Sequence, residues 1–245
     1  MKKPAAAPPA STVRPSTATD RVYDGIYLAV IEHRLAPGEW LREEELAATF
    51  GVSRTVVRQA LQRLAQDQLI DLKHNRGARV SQPGLDEARH VFEARKVVEC
   101  EIARRLGGRL DDGQLAELHA LAEAEQAADA RGDRAAAVRL SGEFHRALAR
   151  MHGNPVFTRL LDSLLPTTSM LMAQYKVGGG QVCVAHRHVE LIASLREGAG
   201  AAAAEMRRHL VELERSLTTP PKAARPLRDV FAGYREEASD GASGP

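Results

Sequence analysis

The chain has 245 residues, 44% hydrophobic and 27% charged, enough for one large domain or two modest ones with a sizeable core. The formal net charge of +2 carries no whole-chain signature of a nucleic-acid binder, so such a role needs a local basic patch. Two distant cysteines, Cys100 and Cys183, exclude a disulfide framework or zinc ribbon, and no apolar run is long enough to span a bilayer.

Residues 1–18, rich in Pro, Ala, Ser and Thr, are expected to form a disordered arm. Met1-Lys2-Lys3 leads into prolines and alanines rather than an apolar stretch, so no signal peptide and a cytoplasmic location are expected. Residues 19–81 form the first ordered unit. Asp20 is expected to cap a helix bearing Val22, Ile26, Ala29, Val30 and Ile31 on one face, ending near Leu35 before Pro37-Gly38. A short helix over about Glu43–Phe50 ends at Gly51, and Ser53 caps a third helix with Val57, Ala60, Leu61 and Leu64 inward. Two short strands around Asn75-Arg76-Gly77 make a hairpin. Three helices and a hairpin wing are the plan of a winged helix-turn-helix.

Residues 82–85 read as a linker. Residues 86–217 read as an all-α antiparallel bundle of about six helices, at about 86–108, 112–130, 133–152, 154–176, 181–197 and 199–217. The fold expected is therefore mainly α. Residues 218–245 read as a mostly disordered tail.

The helix-turn-helix carries the first candidate site. Gly51 permits the tight turn, and Arg54 and Arg58 share a face of the following helix, where arginine can bridge guanine acceptors in the major groove. Ser53 and Thr55 can donate to phosphates, and Arg76 with Gly77 forms a wing tip suited to the minor groove or a phosphate. Between Val52 and Val80 six basic residues face two acidic ones, which supplies the local patch; Arg63 reads as a solvated or phosphate-facing member. Ordinary basic residues on a solvated helix would look similar for the arginines alone, and the turn, cap and wing are what favour double-stranded DNA.

The bundle carries the second. His145, His188 and His209 lie on apolar faces of three helices and together can bind a divalent cation, with His186 the alternative to His188. Singly, each is more simply a hydrogen-bonded core residue. Arg95 shares its face with Val91, Val98 and Ile102, so its guanidinium needs an anionic partner. That partner is either Glu99, one turn on, or the carboxylate of a small ligand. No carboxylate is expected beside the histidines apart from Glu143, which sits on another face than His145.

Two sets of residues carry a resemblance. The run from Ile26 to Leu35, Pro37-Gly38, Leu46-Ala47, Gly51-Val52-Ser53-Arg54-Thr55, Val57-Arg58, Ala60-Leu61 and Asn75-Arg76-Gly77-Ala78 resembles the GntR family of bacterial regulators. Phe92-Glu93-Ala94-Arg95 with Glu99, Phe144 to Leu148, Gly153-Asn154-Pro155 and Met206 to Leu210 look like the FCD ligand-binding domain of the family's FadR subgroup. The resemblance implies operator contacts at Ser53, Arg54, Thr55, Arg58, Arg76 and Gly77, and an effector contact at Arg95. It implies a zinc or nickel ion on His145, His209 and, by its helix pattern, His188. It also implies a homodimer that is usually a repressor released by its ligand, here a small carboxylate. Two departures matter. Glu44 stands where many members carry a DNA-reading arginine, and Ser141 stands where an aspartate usually completes the metal site, so the operator is expected to differ and metal affinity to fall. The alternatives are an architectural DNA binder without sensing, which would bind DNA with little sequence preference, and a metal-dependent hydrolase, which would leave the winged helix unexplained.

Overall fold

A computed structural model describes residues 17–73, 77–175 and 186–217, with side chains of the last segment described from His188 onward. The expected arm before residue 17, the tail from residue 218, Cys183, Arg76 and the side chain of His186 lie outside the described residues. No described helix is long and apolar enough to cross a membrane.

Helix α1 (Ala18–Ile31) is started by Thr17, not by Asp20. The Thr17 hydroxyl accepts from the Asp20 amide at 3.1 Å and the Asp20 carboxylate accepts from the Thr17 amide at 2.9 Å. This reciprocal capping box makes Asp20 the third helical residue, so the helix begins earlier than expected. It also ends earlier, at Ile31, because His33 takes a left-handed backbone conformation with φ 59°. Leu35, beyond that break, is still buried.

β1 (Trp40–Leu41) was not anticipated: two residues carry no period to read. It pairs antiparallel with β3 (Gly77–Val80), which pairs antiparallel with β2 (Ile70–Lys73), giving the order β1-β3-β2. Between them lie α2 (Glu43–Phe50), closed by Gly51 at φ 62°, and α3 (Arg54–Gln66), whose first turn is capped when Ser53 accepts from the Val56 amide at 3.4 Å. Val57, Ala60, Leu61 and Leu64 of α3 are buried with Val22, Ile26 and Leu46, so the expected inward faces form the core of this unit.

The bundle comprises α4 (Leu85–Leu106), α5 (Asp112–Ala130), α6 (Arg134–His152), α7 (Pro155–Tyr175), α8 (His186–Glu197) and α9 (Ala199–Arg215). α4 packs along α9, α5 along α6, and α8 along α9. The close approach of α4 to the α8–α9 turn requires glycine: a Cβ on Gly107 would lie 2.5 Å from the Gly198 backbone.

The two units share an interface. α1 packs on α6 and α7, and Val138 and Met170 of the bundle belong to the same apolar cluster as the winged-helix core. Polar contacts fasten it: the Ser169 hydroxyl donates to the Ile31 carbonyl at 2.8 Å and lies 3.0 Å from His33 Nε2, and Arg146 donates to the Tyr27 hydroxyl.

Candidate functional site

Ser53, Arg54, Thr55 and Arg58 are exposed on the first two turns of α3, and Gly77 begins β3 at φ 88° across the groove between α2, α3 and the wing. This is the face from which the sequence expects DNA contacts. Its arginines, however, are held by acids from α2. Arg58 forms a two-pronged ion pair with Glu43, Nε to Oε1 at 3.0 Å and Nη2 to Oε2 at 2.7 Å, and Arg54 Nη2 lies 3.5 Å from Glu44 Oε2. The Arg58 hydrogen bonds hold the Glu43 carboxyl below its ordinary range. The pairing of Glu43 with Arg58 is not expected from the sequence, since a contact across a helix-turn-helix leaves no i,i+4 mark.

The other basic residues divide. Arg63 is exposed, as the solvated reading expects, but it is not free: it pairs with Asp20 at 2.6 Å and covers the Tyr23 ring at 4.6 Å. Arg79 donates to the Gly38 carbonyl at 2.6 Å, bracing the turn before β1. Lys73 stays on the groove.

Inside the bundle the structure brings Arg95 and the three histidines together. Helix α4 supplies Arg95 and Glu99, α5 Glu125, α6 His145, α8 His188 and α9 His209, each at most 2% exposed. One ligand atom from each of His145, His188 and His209 lies within 4.8 Å of the others. His188 stacks on Phe144 at 4.1 Å between ring centroids, which sets the plane of its imidazole.

Two carboxylates sit beside these histidines, against expectation. Glu99 Oε2 is 2.5 Å from His145 Nδ1, and Glu125 Oε2 is 2.5 Å from His188 Nδ1. The sequence offers Glu99 as a partner for Arg95, and the structure gives it His145 as well. Glu125 falls on the apolar stripe of α5, seven residues after Leu118 and three after Ala122, and that misplaced charge was the available signal. Each carboxylate takes up an Nδ1 and turns the opposite Nε2 inward. The two Nε2 atoms stand 3.3 Å apart. Two nitrogens at about 2.05 Å from a tetrahedral cation would be separated by about 3.3 Å. The donor set therefore fits a divalent metal, and the arrangement of carboxylate, imidazole and inward nitrogen is the one metal sites use.

Burial disfavours ionised Glu99, but Arg95 and then His145 outweigh it and hold its carboxyl at about 2. Burial pushes His145 below its usual range, opposed by Glu99. Arg95 donates through Nε to Glu99 at 2.5 Å and through Nη1 to Thr168 at 3.3 Å, while its buried Nη2 has no hydrogen-bond partner among the described residues. Arg95, Ser141, His145, Thr168, Ser169 and Met172 line a cavity of about 60 Å³. Ser141, not an aspartate, thus stands on the cavity wall one turn before His145.

Comparison with known proteins agrees with both halves. The family described as bacterial regulatory proteins, gntR family, matches residues 18–80, and the FCD domain family matches residues 90–212. The HTH-type transcriptional repressor RspR of Escherichia coli K12 is 24% identical over 200 residues, covering 80% of this chain and 87% of its own length. The HTH-type transcriptional repressor NanR of Salmonella newport is 30% identical over 167 residues, 60% of this chain and 63% of its own length. Among solved structures, a putative GntR regulator from Rhodococcus sp. RHA1 shares the fold with a TM-score of 0.70 at 24% identity, over 81% of this chain and 96% of that one. E. coli McbR/YncC does so at 0.67 and 21% identity, over 81% and 94%.

Proposed function

The chain belongs to the GntR family of bacterial transcription regulators and carries an FCD ligand-sensing domain, and from that premise we propose that it is a homodimeric repressor whose hold on operator DNA is loosened by a small carboxylate. Two copies would set two α3 helices in successive major grooves of a near-palindromic site. Arg54 and Arg58 read bases, Ser53 and Thr55 fix the helix on phosphates, and Arg76 with Gly77 brings the wing to the backbone.

The observation that carries the sensing half is Arg95. A guanidinium 1% exposed, with Nη2 unpaired among the described residues on the wall of a cavity beside His145, suits the carboxylate of a ligand. A divalent cation, zinc or nickel, would be held by His145, His188 and His209 and would supply a Lewis-acid point for a ligand oxygen. Glu99 and Glu125 fix the imidazole orientations whether or not it is bound. Neither lines the cavity, and the named relatives are repressors, which supports sensing over hydrolysis. The pocket supports sensing over a purely architectural role.

A thermal-shift screen of small carboxylates with and without zinc tests the reading. An acid that stabilises the wild type and leaves Arg95→Ala unmoved supports it, and no response to any acid or metal contradicts it.

A further inference from the structure

Resting on that carboxylate-sensing reading, we propose that the bundle selects a singly charged carboxylate and rejects dicarboxylates, because the fixed charges buried around the histidines leave room for one negative charge. Among the described residues the buried charged side chains of the bundle are Arg95, Glu99, Glu125 and Glu205. Glu205 pairs with Arg208 one turn on, so that pair sums to zero. Arg95 contributes one positive charge and Glu99 and Glu125 two negative ones, each within 2.5 Å of a cluster partner. The histidines, as ligands, are neutral. The cluster therefore carries −1, and a divalent cation brings it to +1.

A monocarboxylate then brings the site to zero. A dicarboxylate leaves a net charge in a buried, low-dielectric place, which is strongly disfavoured. The cavity wall agrees independently of the metal. Among the described residues its one permanent cation is Arg95, and beyond His145 and the hydroxyls of Ser141, Thr168 and Ser169 it offers Val138, Leu165, Met172 and Leu213. That wall suits a short apolar tail and, among the described residues, holds no second guanidinium or ammonium group to balance a second carboxylate.

Ser141 is the specificity-determining residue in this scheme. It lines the cavity, and a carboxylate there would bring the metal-loaded cluster to zero with no anion bound. Its neutrality weakens the metal site by one charge and reserves that charge for the ligand.

The test is calorimetric titration of the zinc-loaded full chain with acetate, propionate, malonate and succinate, alongside zinc affinity by chelator competition. Wild type should bind propionate at least about tenfold more tightly than succinate. Ser141→Asp should tighten zinc and weaken propionate by at least about tenfold. Glu125→Gln adds a positive charge and should shift the ratio about tenfold towards succinate. If Glu125→Gln does not fold, Ser141→Asp decides alone. Equal binding of mono- and dicarboxylates by wild type, or variants that shift selectivity the same way, would overturn the charge argument while leaving carboxylate sensing intact. Binding of no carboxylate at all would overturn both.

Discussion

The hydroxyl of Ser169 lines the cavity beside Arg95 and donates to the carbonyl of Ile31, the last residue of α1, at 2.8 Å. Its neighbour Thr168 accepts from Arg95 at 3.3 Å, so consecutive residues of α7 touch the candidate effector site and the DNA-binding unit. The same adjacency recurs on α6, where His145 belongs to the histidine cluster and Arg146 donates to Tyr27 of α1. A ligand that shifted Arg95 or His145 by a fraction of an ångström would act on the helices that hold α1 in place.

Ser169→Ala should therefore uncouple the two sites. Measured at saturating carboxylate, so that any loss of affinity at the cavity wall is removed, the ligand-dependent change in DNA affinity should shrink by more than half. Loss of this buried hydrogen bond should cost about 1 kcal/mol of stability. An unchanged ligand effect on DNA would remove Ser169 from the coupling.

On the recognition face, Glu43 and Arg58 make opposite predictions. Arg58→Ala should lower affinity for a DNA fragment selected from a random pool by about 1–3 kcal/mol and relax preference at one base pair. Glu43→Gln frees the guanidinium from its two-pronged pair, so it should raise non-specific binding and steepen the salt dependence. Fluorescence anisotropy across a salt series measures both.

Metal-free protein should lose stability towards acid in two stages. The folded state keeps the His145 imidazole below its usual range, so the unfolded chain takes up that proton first and stability falls as pH drops through about 6.5. Glu99 titrates at about 2 when folded, against 4.5 as the ordinary value. Its contribution is complete above 4.5 and is lost as pH falls from there towards about 2. Urea denaturation between pH 8 and 3 in chelator should show both, and Glu99→Gln should flatten the lower stage. A stability profile flat across this range would contradict the assigned burial of the pair.

Gly107→Ala probes the packing that frames the site. A Cβ there meets the Gly198 backbone at 2.5 Å, where nothing flexible can yield. The substitution should destabilise by about 1–3 kcal/mol in denaturant titration, with no change in DNA selectivity.

Much of this was legible in the sequence, for physical reasons that also mark its limits. The helical period placed the inward faces of α3 and of the bundle helices, and Gly51, Ser53 and Gly153 marked their ends. His145, His188 and His209 converge because each sits on an apolar stripe. The carboxylates behind them were missed: Glu99 had an adequate partner in Arg95, and Glu125 belongs to a helix with no histidine in the cluster. Pairings between elements, such as Glu43 with Arg58 and Arg63 with Asp20, leave no local pattern. Asp20 was read as a cap when it is the reciprocal member of a capping box begun by Thr17.

The affinity of the full chain for a selected DNA fragment, measured in zinc while a stabilising monocarboxylate is titrated in, tests ligand-controlled DNA release most directly when wild type is set beside Arg95→Ala. Wild type should release the DNA with an affinity loss of at least about tenfold, a coupling of about 1.4 kcal/mol, while Arg95→Ala keeps its grip throughout. DNA affinity that ignores the acid in wild type, or that responds equally in both proteins, would contradict ligand-controlled release through Arg95.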